Sequence, residues 1–321
     1  MSLTSWPAAT VTIGGTELSS ADAGVSRLAV SNVVGGGHDR LMAILAPGSQ
    51  LAGATAMSAV SAQLGYGTSL SDAFTGALAT TGQTARCTVV TAYGPSAALS
   101  QTRVGRSYVQ QSVADVVGDL LNAGNVPQGQ VDAPNQLGCY AVDERRPVWD
   151  HLRALAQLTG LELSTSADGS VNFRPPRTGD AATVTLNYGA DLLGWDVRGY
   201  SPPDQAPAVV PYGAASQLGA GYWHIVLREP DGGPPASPTI VPPAIRDADS
   251  ASAVGDALGA TAARQAISGY LLVVGTPTIR AGDVITISGI PSGDVTVRVI
   301  EAVHELDDAG FRTQLRVEGT G

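Results

Sequence analysis

Between Ser107 and Phe173 the chain carries two amphipathic helical stretches that run into a hairpin, and the residues on both sides read as short strands. A helical island of this kind must bury its apolar stripes, and the strands around it must find partners across it. That restricts the chain to a mainly β architecture with an α+β insert. Nothing in the island has the pattern of a catalytic site, so function has to be sought in architecture.

The local signals are specific. Ser112 stands as an N-cap, with Asp115 three residues on to reach back to the free amides. Val113, Val116, Val117, Leu120 and Leu121 share one helical face, and Gly124 stands where a left-handed C′ residue is expected. The second helix is read as starting with Pro147 at its first position, with Val148, Leu152, Leu155 and Thr159 on one stripe and Gly160 ending it. Leu161–Ser164 and Val171–Phe173 then alternate around the turn Ala167-Asp168-Gly169.

Residues 1–104 read as evenly spaced strands, the pattern of a barrel or sandwich. Thr10–Ile13 precedes a Gly14-Gly15 turn, and Ser26–Asn32, Met57–Gly65, Asp72–Thr80 and Arg86–Ala92 follow. Asp39–Gln50 fits either a strand or a short helix. After the insert, strands return at 183–199, and a Pro-rich stretch at 201–249 holds one plausible strand at Trp223–Leu227. A third helix is expected over Ser250–Ser268, with Val254, Leu258 and Ala262 inward. Asp283–Ser288, Val295–Val303 and Arg312–Val317 close the pattern as strands. The chain thus divides into 1–104, 105–178 and 179–321, the last interrupted over about 201–268.

Composition excludes several functions. The net charge is −10, the 18 basic residues are all Arg, and Arg145-Arg146 is the single adjacent pair, so no basic patch awaits nucleic acid. Only 14% of residues are charged, which suits a protein whose surfaces are covered in an assembly. Two cysteines, Cys87 and Cys139, are too few for a disulfide framework and are expected to be reduced and buried. The N-terminal MSLTSWPAATVTIGG has no basic or apolar signal region, and no apolar run is long enough for a bilayer. A soluble, unexported chain is expected.

The search for chemistry is negative. His304-Glu305-Leu306-Asp307-Asp308 begins like a zinc-protease helix, but Asp308 stands where the second His is needed, and the segment alternates like strand. His38, His151 and His224 stand alone. Gly35-Gly36-Gly37 and Gly65-Tyr66-Gly67 are read as turns, since no Lys exists to reach a phosphate. No GxSxG elbow is present and neither cysteine has a nearby His. Adjacent acids such as Asp143-Glu144 are read as solvated turns, and Trp149 and Trp223 as core aromatics. No catalytic, cofactor or metal residue is assigned, and the chain is not expected to be an enzyme.

Four segments, taken together and in order, resemble the late-control D family of phage baseplate hub proteins, which also forms the N-terminal half of VgrG spike proteins. They are LGYGTSLSDAFTGALATT (Leu64–Thr81), SYVQQSVADVVGDLLNAGNV (Ser107–Val126), VWDHLRALAQLTGLELSTSADGSVNFRPP (Val148–Pro176) and TPTIRAGDVITISGIPSGDVTVRVIEAVHELDDAGFRTQLRVEG. The Pro-rich residues 201–249 have no counterpart. The resemblance implies two antiparallel β-barrels, each similar to a tail-tube subunit, with the helical module between them. It further implies a homotrimer whose six barrels adapt a sixfold tail tube to a threefold spike. The tail-tube protein would lie above, a spike protein below and baseplate wedge proteins around it, in a contractile phage tail or a contractile injection particle assembled in the bacterial cytoplasm. Because the sequence stops at Gly321 after the last strand, the spike is expected to be a separate polypeptide. Two other readings are a tail-tip enzyme acting on cell wall, and a tail-tube or distal-tail adaptor of a non-contractile phage.

Overall fold

Gly14 and Gly15 both take positive φ, 60° and 86°, as a tight two-residue turn requires, and they join β1 (Pro7–Ile13) to β2 (Thr16–Ser19). β3 (Val25–Val33), β4 (Arg40–Leu45), β5 (Ala59–Tyr66), β6 (Ser69–Gln83) and β7 (Thr88–Tyr93) complete the first part of the molecule. All pair antiparallel, in the spatial order β3-β4-β7-β6-β5-β1-β2. Half of the ambiguous Asp39–Gln50, the residues Arg40–Leu45, is therefore strand. Leu41, Ala43 and Leu45 point inward at a period of two, and a short 3-10 turn at Gln50–Gly53 follows. The computed structural model describes residues 6–179, 182–200, 208–209, 239–240, 244–245, 248–291 and 293–321. The strand expected at Trp223–Leu227 lies outside the described residues.

The insert contains more strand than its sequence suggested. β8 (Arg106–Ser112) leads into α1 (Val113–Ala123), followed by β9 (Gln128–Val131), β10 (Gln136–Val142), α2 (Val148–Thr159), β11 (Glu162–Thr165) and β12 (Val171–Arg174). β8 pairs with β10, and β9 runs parallel to β12 beside β11. The apolar face of α1 is fully buried and shares a core with Leu152 and Leu155 of α2 and Phe173 of β12. Each such side chain contributes roughly 1.5–3 kcal/mol through burial.

Three details of the helix ends differ from expectation. The Ser112 hydroxyl accepts from the Asp115 amide at 3.1 Å, but the Asp115 carboxylate accepts the Ser112 hydroxyl at 2.6 Å instead of reaching an amide. Ser112 is still a member of β8, opposite Gln136, which fixes its backbone in the ladder. Gly124 has φ −91°, and Asn125 takes the left-handed position at φ 53°. Glycine is required at 124 for packing instead, because a Cβ there would overlap the Leu99 side chain. Pro147 is the N-cap, one residue before the helix, with ψ 150°. Gly160 ends α2 in the left-handed region, as the sequence indicates.

The last part of the chain comprises β13 (Ala182–Asn187), β14 (Leu192–Gly199), a short parallel pair of β15 (Ala208–Val209) and β16 (Thr239–Ile240), and α3 (Ala248–Gln265). β17 (Ile267–Val274), β18 (Val284–Ser288), β19 (Val295–Asp307) and β20 (Gly310–Glu318) follow. α3 stops at Gln265, short of the expected Ser268, because a strand begins at once. Gly269, Leu271 and Val273 of β17 alternate inward, a period that a helix cannot use.

The chain is mainly β, and among the described residues its two outer parts share one continuous ladder. One ladder runs β14-β17-β20-β19-β3 and on to β2, with β13 and β18 branching from β19. Among the described residues it does not close on itself. β19 explains the continuity, because it is 13 residues long and shifts register between Val299 and Glu301. Its first part pairs with β18 at Val295–Arg298, and its second pairs with β3 from Glu301↔Val33 to Asp307↔Arg27. Two buried clusters lie under this ladder, one for β1–β7 with Phe311 and one for β13, β14 and β17–β20, beside the separate core of the insert. Pairing is also not antiparallel throughout, since β13 and β18 run parallel.

Candidate functional site: the junction of three cores

Arg280, in the segment between β17 and β18, meets all three parts of the molecule. Its guanidinium donates to Asp39 Oδ2 at 3.1 Å and to the Ala73 carbonyl at 3.2 Å in the first part. It also donates to the Thr165 carbonyl of the insert at 3.5 Å. Close by, Asn32 Oδ1 accepts the Ala281 amide at 2.6 Å. Asp39 is 5% exposed, and burial pushes its carboxyl up to about 7, against the pull of Arg280 and of the Val33 backbone. His304 is completely buried, with Nδ1 3.0 Å from Thr313 Oγ1. Burial first, and the Arg280 charge second, hold it near 4, so the ring is neutral around pH 7.

The other residues singled out in the sequence are dispersed. Successive residues of β19 face opposite ways, so His304 and Glu305 cannot converge on one ion. Glu305 pairs with Arg27 and, at 3.0 Å, with Arg312, which also holds Asp307 at 2.7 Å. No metal-binding cluster occurs among the described residues. His151 is buried on α2 with Nε2 3.0 Å from the Asp143 carbonyl. Asp143 is partly exposed, and its turn partner Arg145 lowers its carboxyl to about 2. Trp149 is 4% exposed and donates from Nε1 to the Gly36 carbonyl at 3.1 Å. Cys87 and Cys139 are unpaired, but neither is buried: Cys87 is partly exposed and Cys139 lies on an outward position of β10. His224 and Trp223 lie outside the described residues.

His38 is less isolated than its sequence context suggests. Its Nδ1 lies 3.0 Å from Ser96 Oγ, its Nε2 2.7 Å from Ser100 Oγ, and its ring sits 4.5 Å from that of Trp149. A serine nucleophile would need this ring to accept a proton. Burial and then the Arg153 charge hold His38 near 4, which disfavours that cation. The contacts dock the turn at Pro95–Ser100 and α2 onto the Gly-rich stretch after β3.

A cleft of about 360 Å³ opens where α2, β11, α3, β19 and β20 meet. Arg153, Arg264, Arg298 and Arg316 line it, against Glu162 and Glu318. Arg298 is 3% exposed and pairs with Glu162 and, at 2.5 Å, with Glu318. Burial lowers the basicity of both Arg298 and Arg264. At the far edge of the ladder, Leu193, Trp195, Tyr200 and Tyr270 are exposed on and next to β14 and β17, with Tyr270 66% exposed opposite Asp196. An edge strand with apolar side chains on show is a surface fit for assembly.

No family model matches this chain, and no curated protein matches it. Solved structures do. A tail protein from Neisseria meningitidis MC58 superposes with a TM-score of 0.73 at 14% identity, over 98% of this chain and 97% of that one. The 43 kDa tail protein of prophage MuSo2 from Shewanella oneidensis gives 0.68 at 13% identity, over 98% of each. The E. coli c3393 protein gives 0.63 at 10% identity, over 92% of this chain and 74% of that one. It is described as a component of the type VI secretion system with structural similarity to the T4 tail proteins gp27 and gp5. Along almost its entire length, this chain has the fold of phage tail proteins.

Proposed function

We propose that the chain is a structural baseplate hub protein of a contractile phage tail or of a phage-tail-like contractile injection system. Three copies form a ring that adapts the sixfold tail tube above to the threefold central spike below. A spike protein lies below, and wedge proteins of the baseplate surround the ring. The protein is assembled in the bacterial cytoplasm, works as a part of the virion tail or injection particle, and carries no catalytic activity of its own. The observation that supports this most is the superposition of 98% of the chain on two tail proteins, insert included. The dispersal of the histidines and cysteines among the described residues agrees with a structural role.

Copy number tests the reading. In purified particles, quantitative mass spectrometry against the tail-tube protein should give three chains per tail; one or six would overturn it. A lysis band from the purified protein on a peptidoglycan zymogram would overturn the non-enzymatic part.

A further inference from the structure

The cleft at the junction of α2, α3, β11, β19 and β20 is lined by more guanidiniums than carboxylates. Four guanidiniums face two carboxylates there. Arg298 engages both carboxylates, and Glu318 is also the partner of Arg264, whose Nε stands 3.6 Å away, beyond hydrogen-bonding reach. The Nε atoms of Arg153, Arg264 and Arg298 are all buried without a hydrogen-bond partner. A buried charged donor left unsatisfied is costly, and three such donors on one cleft ask for an acceptor. The outer partners of Arg153 and Arg316 do not supply it. Asp150 stands 3.9 Å from Arg153, Glu301 takes only the Nε of Arg316, and both carboxylates are more than a third exposed to screening water.

Glycine positions keep the arginines and acids in place. A Cβ at Gly36 would strike the Arg153 guanidinium, and one at Gly282 would come within 2.8 Å of Glu162 Oε1. A Cβ at Gly160 would overlap Ala257 of α3, so the close approach of α2 and α3 that shapes the cleft depends on that glycine. The volume is that of a small-molecule site, and planar guanidiniums match the paired oxygens of phosphate or carboxylate groups.

From these observations we infer that the cleft is an oxyanion site for a small phosphate- or carboxylate-bearing ligand, held by Arg153, Arg264, Arg298 and Arg316. This stands independently of the hub role. The ligand bridges the insert, α3 and the β19–β20 hairpin, so its binding raises the melting temperature of the whole chain.

Calorimetric titration of the full chain with sodium phosphate and, separately, sodium succinate, at ionic strength matched with NaCl, tests it. One-site saturation by either anion, with a rise in melting temperature above the NaCl control, is the expected result; the tighter anion names the ligand class. Arg153→Gln and Arg316→Gln, at side chains 43% and 42% exposed, should fold and each weaken binding about tenfold. Arg145→Gln, in an exposed turn remote from the cleft lining, should leave affinity unchanged. The assignment is overturned if neither anion saturates above the control. Equal affinity in Arg153→Gln and Arg316→Gln, or an equal loss in Arg145→Gln, overturns it as well.

Discussion

Val116, Val117 and Leu120 of α1 share one buried apolar core with Leu152 and Leu155 of α2. The boundary between the same insert and the ladder is built in another way, from Arg280 with Asp39 and Thr165, and from Arg298 with Glu162 and Glu318. Apolar burial supplies energy in proportion to area and tolerates small shifts. Buried ion pairs add little net energy, yet they fail sharply when one member is removed. The two boundaries divide the labour: the apolar core makes the insert a body, and the charged boundary sets how that body is oriented on the sheet.

The two regions should therefore break differently. Replacing Leu120 and Leu152 together with Asp places two unpaired charges in a core where both wild-type side chains are fully buried. Cooperative unfolding by circular dichroism should vanish; intact, soluble chains with a normal transition would show that the stripe is not core. Arg280→Ala should cost about 3–5 kcal/mol in denaturant unfolding, because it strands Asp39. Asp39→Asn in that background should recover part of the loss, and no recovery would mean that Arg280 acts through its two carbonyl contacts.

Asp39→Asn in the native background also has a pH signature. The carboxyl, at about 7 folded against 3.8 ordinarily, binds a proton more readily in the fold. Its contribution to stability is present below about pH 3.8 and is lost as pH rises to about 7. The substitution should flatten stability across that window. His38 and His304, lowered to about 4, have the opposite sign: their contribution is present above 6.5 and is lost as pH falls towards 4. The smallest effect is expected at the rim of the insert, where Ser112→Ala removes a cap worth about 1 kcal/mol and should lower the denaturation midpoint without altering pH dependence.

The same contrast explains what the sequence disclosed. Gly14-Gly15, the α1 and α2 stripes, Gly160 and the Ala167-Asp168-Gly169 turn were legible because each is decided within a few residues. β17 was hidden because Ile267–Val274 follows a helix without a break, and its Gly269 and Tyr270 dilute the alternation. β8 and β10 were missed for lack of an apolar period: in RSYVQQS only Tyr108 is buried. The pairing of β3 with β19, the environment of His38 between Ser96 and Ser100, and the arginine-lined cleft join residues far apart in sequence. Local pattern carries no record of such meetings. The outward Cys139 shows the reverse error, where a residue type that is usually buried takes the solvent side of a two-stranded sheet.

β3 receives its second neighbour only when β19 arrives, most of the chain later. On a ribosome, the β3 edge of the first sheet must therefore stay bare while the insert and α3 are made. An unpaired edge of nine residues is a template for wrong partners during that interval. Synthesis speed and chaperone supply, more than final stability, should then govern how much of this protein reaches its native form.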